Sequence, residues 1–513
     1  MKKPRTRRVF SAAASLLIPC FVCANDSRAN AAPAETAVPS TPGDPPGTSA
    51  PNPVATEPFA WGDFTWLNGT TRQHASLLDS KYFTGTFTMD VNYNYSFNRP
   101  IDHTNVGSTA TFREGELNLS FAAFGGDFHY GSARGRLLLQ LGTRATGVPR
   151  NDLTPLRGQF DLYTALRYIS EAYAGYHWDV WHGINLDVGM FMSYVGLMSY
   201  NNFENWVYQP SYTSDNTPWF FTGFRLQIFP TDRLKVELWL INGWQTYGMF
   251  NEAPGVGYQI LYRPVEPVSV LANGYMGWDT PTISSRIRFH SDNSFLLRYY
   301  NNPGGRISKA AFSLTGDLGF ESGGGVTPFG GDGGPAQNFI SGMFYNRLWF
   351  FNDLFGWTVG YGRMHNPGRY LVLLPTGVAA NTFTQNVGDV FDAWDTQTNI
   401  QYMPNEYSTW SLELVYRRAN VPYFAGRGGV TSPNGWNPPI GDPTGFEPDL
   451  VKALDILGVV PDVGAQPDGQ AKRTIRGDAR PLRGMRGILS GSARPGERCE
   501  GEGVCGLSSG KRA

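Results

Sequence analysis

Residues 83–98 alternate without a break. Odd positions from Phe83 to Phe97 are aromatic, aliphatic or Gly, and even positions are Thr, Asp, Asn or Ser. In an extended chain successive side chains point to opposite faces, so this run has one apolar face and one polar face. A helix of period 3.6 would mix the two sets. The run also exceeds the usual strand of about 5–6 residues and is long enough to cross a bilayer at a tilt. A half-buried strand of a soluble sandwich would alternate in the same way. The membrane reading takes precedence because the pattern recurs along the chain.

Further alternating runs lie at 134–141, 159–178, 184–190, 224–228 and 234–240. Others lie near 256–263, 267–276, 284–290, 294–300, 309–320, 338–350, 356–365, 388–402 and 409–418. Short turns such as Pro230-Thr231-Asp232 and Pro264-Val265-Glu266 suit one rim of a barrel. The Gly-, Asn- and Pro-rich stretches 196–217, 245–255, 321–337 and 366–387 suit external loops at the other. The expected fold is all-β, a transmembrane antiparallel up-and-down β-barrel of about 14–16 strands, wide enough to hold a water-filled channel.

The ends of the chain set its compartment. Lys2, Lys3, Arg5, Arg7 and Arg8 precede an apolar run from Val9 to about Ala24, and small residues stand at Ala24 and Ala31. This pattern predicts a secretory signal peptide over 1–24, with 31 as the later cleavage position. Pro19 and Val22 precede Cys20 and Cys23, which argues against a lipoprotein. The other cysteines, Cys499 and Cys505, lie in the tail, so no disulfide framework or Cys metal site organises the main domain. Residues 25–58 read as a disordered Ala/Pro/Ser/Thr-rich linker. In 59–80, a short helix around His74 to Leu78 is expected, in the lumen or in the periplasm. The barrel is expected over 59–450.

Aromatic residues make up 14% of the chain and charged residues 17%, a balance that suits aromatic girdles on a barrel. Basic groups gather at the termini, which leaves 27 basic and 39 acidic residues in 25–469. An acidic lumen would favour cations, and acidic outer loops would give the same count.

Several blocks together resemble the β-barrel porin-2, OmpL-like family over roughly 58–450. They include Trp61-Gly-Asp-Phe-Thr-Trp-Leu-Asn-Gly69, Asp90-Val-Asn-Tyr-Asn-Tyr95, Pro149-Arg-Asn-Asp152 and Glu171-Ala-Tyr-Ala-Gly-Tyr176. Glu204-Asn-Trp206, Thr217-Pro-Trp-Phe-Phe-Thr-Gly223, Leu240-Ile-Asn-Gly-Trp244 and Arg286-Ile-Arg-Phe-His-Ser-Asp292 extend the set. The resemblance implies an outer-membrane barrel that acts as a porin and supplies no particular substrate. The tail departs from the pattern: beyond Lys452 there is no Phe, Tyr or Trp up to Ala513, and Arg, Gly and Pro dominate. A shifted reading frame near 453 and a disordered extension after a barrel closed by 409–418 both fit.

The candidate pore-lining residues are Asp90, Arg134, Arg136, Asp187, Lys235, Glu237, Arg286, Arg288, His290 and Asp292. With Glu413 and Arg417, most of them are expected as solvated lumen residues on the polar strand faces. Arg286, Arg288, His290 and Asp292 form either a charged constriction or a self-neutralising ladder across strands. No catalytic set, metal site or cofactor is expected. His177 and His182 lie across a turn, and Gly330-Gly331-Asp332-Gly333-Gly334 lacks P-loop and EF-hand ligands. No Gly-x-Ser-x-Gly elbow occurs.

The expected function is passive diffusion of small hydrophilic solutes or ions, without enzymatic activity. A plugged receptor or adhesin that binds through the loops at 196–217 and 321–387 is the alternative, and an outer-membrane enzyme comes third. Expected partners are outer-membrane lipid, small hydrophilic solutes and the barrel-assembly machinery. An oligomer is compatible with the sequence. The basic tail lacks aromatic platforms, so no nucleic acid is expected.

Overall fold

The computed structural model describes residues 63–73, 76, 78–100, 103–105, 107–149, 152, 154, 160–249, 251–367, 370 and 390–420. It also describes short strands at 13–16, 424–425, 431–432, 435–436, 446–447 and 451–455. The chain forms two compact units, Met1–Val460 and Pro461–Ala513. All described residues belong to the first.

Fifteen strands follow one another. They are β1 (Phe83–Tyr93), β2 (Leu117–Tyr130), β3 (Ala133–Leu141), β4 (Ile169–Trp178), β5 (Ile184–Met192), β6 (Phe220–Thr231), β7 (Leu234–Ile241) and β8 (Gly255–Tyr262). Then come β9 (Val268–Gly277), β10 (Ile287–Asn301), β11 (Ile307–Ser322), β12 (Asn338–Phe350), β13 (Phe355–Pro367), β14 (Val390–Asn405) and β15 (Ser408–Ala419). Each pairs antiparallel with the next. This is the up-and-down topology that the alternating runs predict.

The edges of β15 and β1 are bridged by two short strands. Ala13–Leu16 pairs with 410–413 on one side and 91–93 on the other. Val451–Asp455 pairs with 413–417, and its Ala453 and Leu454 meet Tyr95–Ser96. The expected linker 25–58 and the tail beyond 455 lie outside the described residues, as does the core of the helix expected around His74.

Connections alternate in length. Those at one end of the sheet, such as 131–132, 232–233 and 406–407, are short. Those at the other end, such as 142–168, 193–219 and 323–337, are long. Pro230-Thr231-Asp232 and Pro264-Val265-Glu266 fall at the short-turn end, as expected.

Three strand assignments are corrected. The run 159–178 is a strand only from Ile169, because Leu162–Leu166 is a short helix that Asp161 caps through the Thr164 N–H. The runs 284–290 and 294–300 are one strand, β10, because the polar Ser291-Asp292-Asn293 continues the ladder instead of turning. Strand β2 has no counterpart among the runs read from the sequence. A register shift at Asp90/Val91 leaves Ser120 and Phe121 both buried, and this breaks the alternation that would mark the strand.

Burial along the strands is the reverse of a soluble protein's. On β13, Phe355, Trp357, Val359 and Tyr361 are exposed while Thr358 is fully buried. On β14, Ile400 is 50% exposed between buried Asn399 and Gln401. An outer wall of Phe, Leu, Val, Tyr and Trp around a polar interior matches lipid outside and protein or water inside. Tyr130, Trp178, Tyr262, Tyr299, Phe355 and Tyr402 are exposed at the short-turn end, the position of an aromatic girdle. Among the described residues no helix is long and apolar enough to cross a membrane.

Candidate functional site

Among the described residues, the interior of the sheet is filled chiefly by two segments of the same chain, alongside 107–111. Residues 193–219, expected as part of an external loop, fold back between the strands. Trp206, Val207, Tyr208, Gln209 and Ser211 are all at most 3% exposed. The composition explains the correction: across 193–219 only Glu204 and Asp215 are charged, and aromatic residues recur. A solvated loop has no need of that apolar content, whereas a segment packed inside a barrel does.

Wall carboxylates hold this segment by its backbone. The N–H groups of Tyr208 and Gln209 donate to the two oxygens of Glu413, at 2.6 and 2.8 Å. The Tyr212 N–H and Ser211 hydroxyl donate to Asp395 Oδ2 at 2.7 and 3.0 Å. These contacts fix the start of the short helix α1 (Tyr212–Asp215), which Ser211 caps through the Thr213 N–H. Asp215 Oδ2 lies 3.0 Å from Arg417 Nη1, and its Oδ1 accepts from the Thr109 N–H at 3.1 Å. Arg417 also donates to the carbonyls of Gly107 and Pro210. The Tyr208 hydroxyl lies 3.1 Å from both Asp90 oxygens and accepts from Asn92 Nδ2 at 2.7 Å. Hydrogen bonds to ionised groups are roughly twice as strong as neutral ones, so the clamp is built from the stronger kind.

The second segment, 63–72, enters at the short-turn end. Trp66 is fully buried and packs with Leu67, Leu197, Trp206 and Trp349. Asp63 Oδ2 meets Arg298 Nη1 at 2.8 Å, Lys309 Nζ donates to Thr65 Oγ1 at 2.9 Å, and Arg72 Nη2 donates to Thr409 Oγ1 at 2.7 Å. The two segments meet where the Trp206 N–H donates to Asn68 Oδ1 at 2.9 Å. Of the two placements expected for 59–80, the part 63–72 takes the lumen, whereas Ser76 and 78–80 are exposed. A cavity of about 290 Å³ remains beside both segments, with Asn68, Ser193, Lys235, Gln259 and Ser269 among its lining residues.

The sequence-predicted residues all have partners, and most are shielded from water. Asp90 and Asp187 are 1% and 0% exposed, and Glu413 and Arg417 are both fully buried. The solvated reading is therefore corrected for these four and for Glu237, itself 3% exposed, because the inward segment or a paired side chain covers them. Arg134 and Arg225 flank Asp187 at 3.2 and 2.8 Å. Arg136 bridges Glu171 and Asp127, each at 2.6 Å. Lys235 Nζ is 2.7 Å from Glu237, which also accepts from Gln227 Nε2 and Trp239 Nε1.

Arg286, Arg288, His290 and Asp292 do come together on one inner face. Arg288 meets Glu321 at 2.7 Å and Asp279 at 3.8 Å, and Arg286 lies 3.9 Å from Glu321. His290 Nε2 is 2.7 Å from Asp317 Oδ1, and its Nδ1 is 3.1 Å from the Tyr370 hydroxyl. Asp292 accepts from Asn273 Nδ2 at 3.4 Å. For the two arginines this geometry is that of a cross-strand, charge-compensating ladder, whereas Asp292 stands directly opposite another carboxylate, Asp317.

Asp215, Asp395, Tyr208 and Asn68 were not among the candidates. Asp395 stands on a correctly expected strand. Tyr208 and Asn68 belong to blocks whose apolar content was the only signal available. Among the described residues no group of three or more His, Cys, Asp or Glu is placed to hold a metal ion.

A family model described as "Putative beta-barrel porin-2, OmpL-like" matches residues 82–435. No curated protein sequence matches the chain. Among solved structures, the outer membrane channel DcaP of Acinetobacter baumannii is 9% identical, with 67% of this chain and 99% of that one covered and a TM-score of 0.39. The anion-selective porin from Comamonas acidovorans is 9% identical, with 72% and 98% covered and a TM-score of 0.40. The outer membrane protein OprD from Pseudomonas aeruginosa is 11% identical, with 76% and 97% covered and a TM-score of 0.30.

Proposed function

This chain belongs to the β-barrel porin-2, OmpL-like family, and on that premise we propose that it carries small hydrophilic solutes or ions passively across the outer membrane, along the interior of its barrel. The observation that carries this reading is the split along the long strands, with outward side chains mostly apolar and inward ones mostly polar. A polar interior lets solutes avoid the hydrocarbon core, and the narrowest point selects by size and sign. In this reading 193–219 and 63–72 form that narrow part. The short-turn end faces the periplasm and the long loops face outward, as in outer-membrane barrels generally.

Residues 1–24 act as the signal peptide in a Gram-negative cell, and the assembly machinery inserts the exported barrel. Cleavage would remove Ala13–Leu16 from the sheet and leave Val451–Asp455 to bridge its edges. The ten candidate residues, Asp90 to Asp292, line or support the pore, most of them as paired charges, and the chain performs no catalysis. Refolded protein in a planar bilayer should give discrete conductance steps, and loaded liposomes should swell. A folded, inserted barrel that gives neither would defeat the channel reading, and a broad hydrolase screen checks the enzymatic one.

The filled interior supports a second reading, a plugged receptor. Ligand capture at the cell surface without conductance would favour it. The segment 196–217 is an unsuitable binding loop because it is buried, which leaves 321–337 as the described candidate.

A further inference from the structure

The outer wall carries one row that does not suit lipid. A single rung of the sheet runs Ala272–Asn293–Gly316–Gly342–Arg363–Trp394 across β9 to β14. All six lie on the outward face, and Asn293, Gly316 and Arg363 are exposed. Elsewhere this face is mostly aromatic or aliphatic. Asn293 lies six residues from Tyr299 of the girdle, roughly 20 Å along the strand and, at a tilt of about 45°, roughly 14 Å along the membrane normal. That is near the middle of an apolar band about 25 Å tall.

Three other outward polar groups are satisfied within the wall. Asn346 exchanges hydrogen bonds with the Tyr299 hydroxyl, Thr398 accepts from Trp357 Nε1, and Thr396 donates to the Gly360 carbonyl. Asn293 has only Ser291, to whose hydroxyl oxygen it donates at 2.9 Å. Its carboxamide oxygen meets no donor among the described residues, and Arg363 has no ion-pair partner among them. Unpaired amides and guanidinium groups facing hydrocarbon cost several kcal/mol together.

From these observations we propose that this rung is an interface between copies of this chain, a homo-oligomeric contact centred on Asn293, Gly316 and Gly342. The occupant is a second copy because the patch complements itself. A carboxamide both donates and accepts, so Asn293 of one copy can pair with Asn293 of another. The two glycines leave a trough at which a neighbouring wall can approach. A phosphorylated glycolipid headgroup could satisfy Arg363 but would leave Asn293, nearer mid-membrane, unpaired.

The test uses full-length refolded protein in detergent, with mass measured by light scattering corrected for bound detergent. Wild type should have the mass of two or more chains. Gly316→Leu and Asn293→Leu should each reduce it to one chain, with heat-modifiable gel migration retained. Gly316 suits this because a Cβ added there meets nothing within 4 Å in its own chain, so the substitution leaves the monomer intact. The contact is also read in native outer membranes by cross-linking through Gly316→Cys, with the four natural cysteines replaced by Ser. A monomeric wild type overturns the proposal, as does an oligomer that both Leu variants leave unchanged. Glycolipid retained by a monomeric wild type and lost with Arg363→Ser would assign the patch to lipid instead. Conductance of the monomeric variants separates failure of this interface from failure of the channel.

Discussion

Tyr208 and Glu413 stand 205 positions apart in the chain, yet the Tyr208 N–H donates to Glu413 Oε2 at 2.6 Å inside the barrel. The neighbouring Gln209 N–H takes the other oxygen. One wall carboxylate therefore holds two consecutive peptide groups of the inward segment.

Glu413→Gln replaces one of those acceptors with a donor that faces an N–H. A hydrogen bond to a charged group contributes about 1.5–3 kcal/mol, so amide exchange at Tyr208 and Gln209 should quicken by roughly tenfold to a hundredfold. Single-channel conductance should rise as the segment loosens. Unchanged exchange at both amides would show that Glu413 does not hold the segment.

The docked segment should respond to pH through Asp215. Burial pushes its carboxyl up to about 6 from the usual 3.8, against the pull of Arg417 and Thr109, while Asp395 shares Arg417. The folded value is the higher one, so docking takes up a proton. This contribution is fully present below pH 3.8 and is lost as pH rises through about 6. Docking should be about tenfold more favourable at pH 5 than at pH 7. Exchange protection of 206–213 measured at both pH values checks the sign, and Asp215→Asn should flatten the difference.

Arg288→Ser leaves Glu321 buried beside only the more distant Arg286. Removing one partner of a buried pair costs about 3–5 kcal/mol, which should lower the temperature at which the barrel loses its fast gel migration. A double change, Arg288→Met with Glu321→Gln, should cost less, because no unpaired charge is left. Under a salt gradient the single variant should shift the reversal potential toward cation preference. An unmoved potential would place Arg288 away from the solute path.

Asn68→Leu removes the acceptor for the Trp206 N–H and leaves a buried donor unpaired, a loss of about 1–3 kcal/mol. The contact between the two luminal segments should weaken, and deletion of 63–72 should raise conductance further. Equal conductance in wild type and the deletion would mean that 63–72 does not narrow the path.

The strands were readable where apolar and polar residues alternate strictly, as on β1, β7 and β13. They were unreadable where a bulge shifts the phase, as at Phe121 on β2. Polar residues on the outer face misled in the opposite direction: Ser291 and Asn293 looked like a turn and divided β10. The inner placement of Arg288 and His290 followed from period-2 spacing alone. Their partners did not, because Glu321 and Asp317 come from the neighbouring strand, whose register no local pattern encodes. The inward path of 193–219 is likewise a tertiary decision, hinted at only by its scarcity of charge.

The clamp on the inward segment also carries a consequence for assembly. Its wall partners come from both extremes of the barrel: the acceptors Asp90 on the first strand and Asp395 and Glu413 on the last two, and the donor Arg417 on the last. Residues 193–219 are synthesised before most of that receiving surface exists. They can settle only after the far strands have paired, so their docking is a late, long-range event of the slow kind. A chain halted before Val390 would retain the segment and lack its principal acceptors. Burial of Trp206 thus works as a timer, and its fluorescence change on refolding should trail the appearance of sheet.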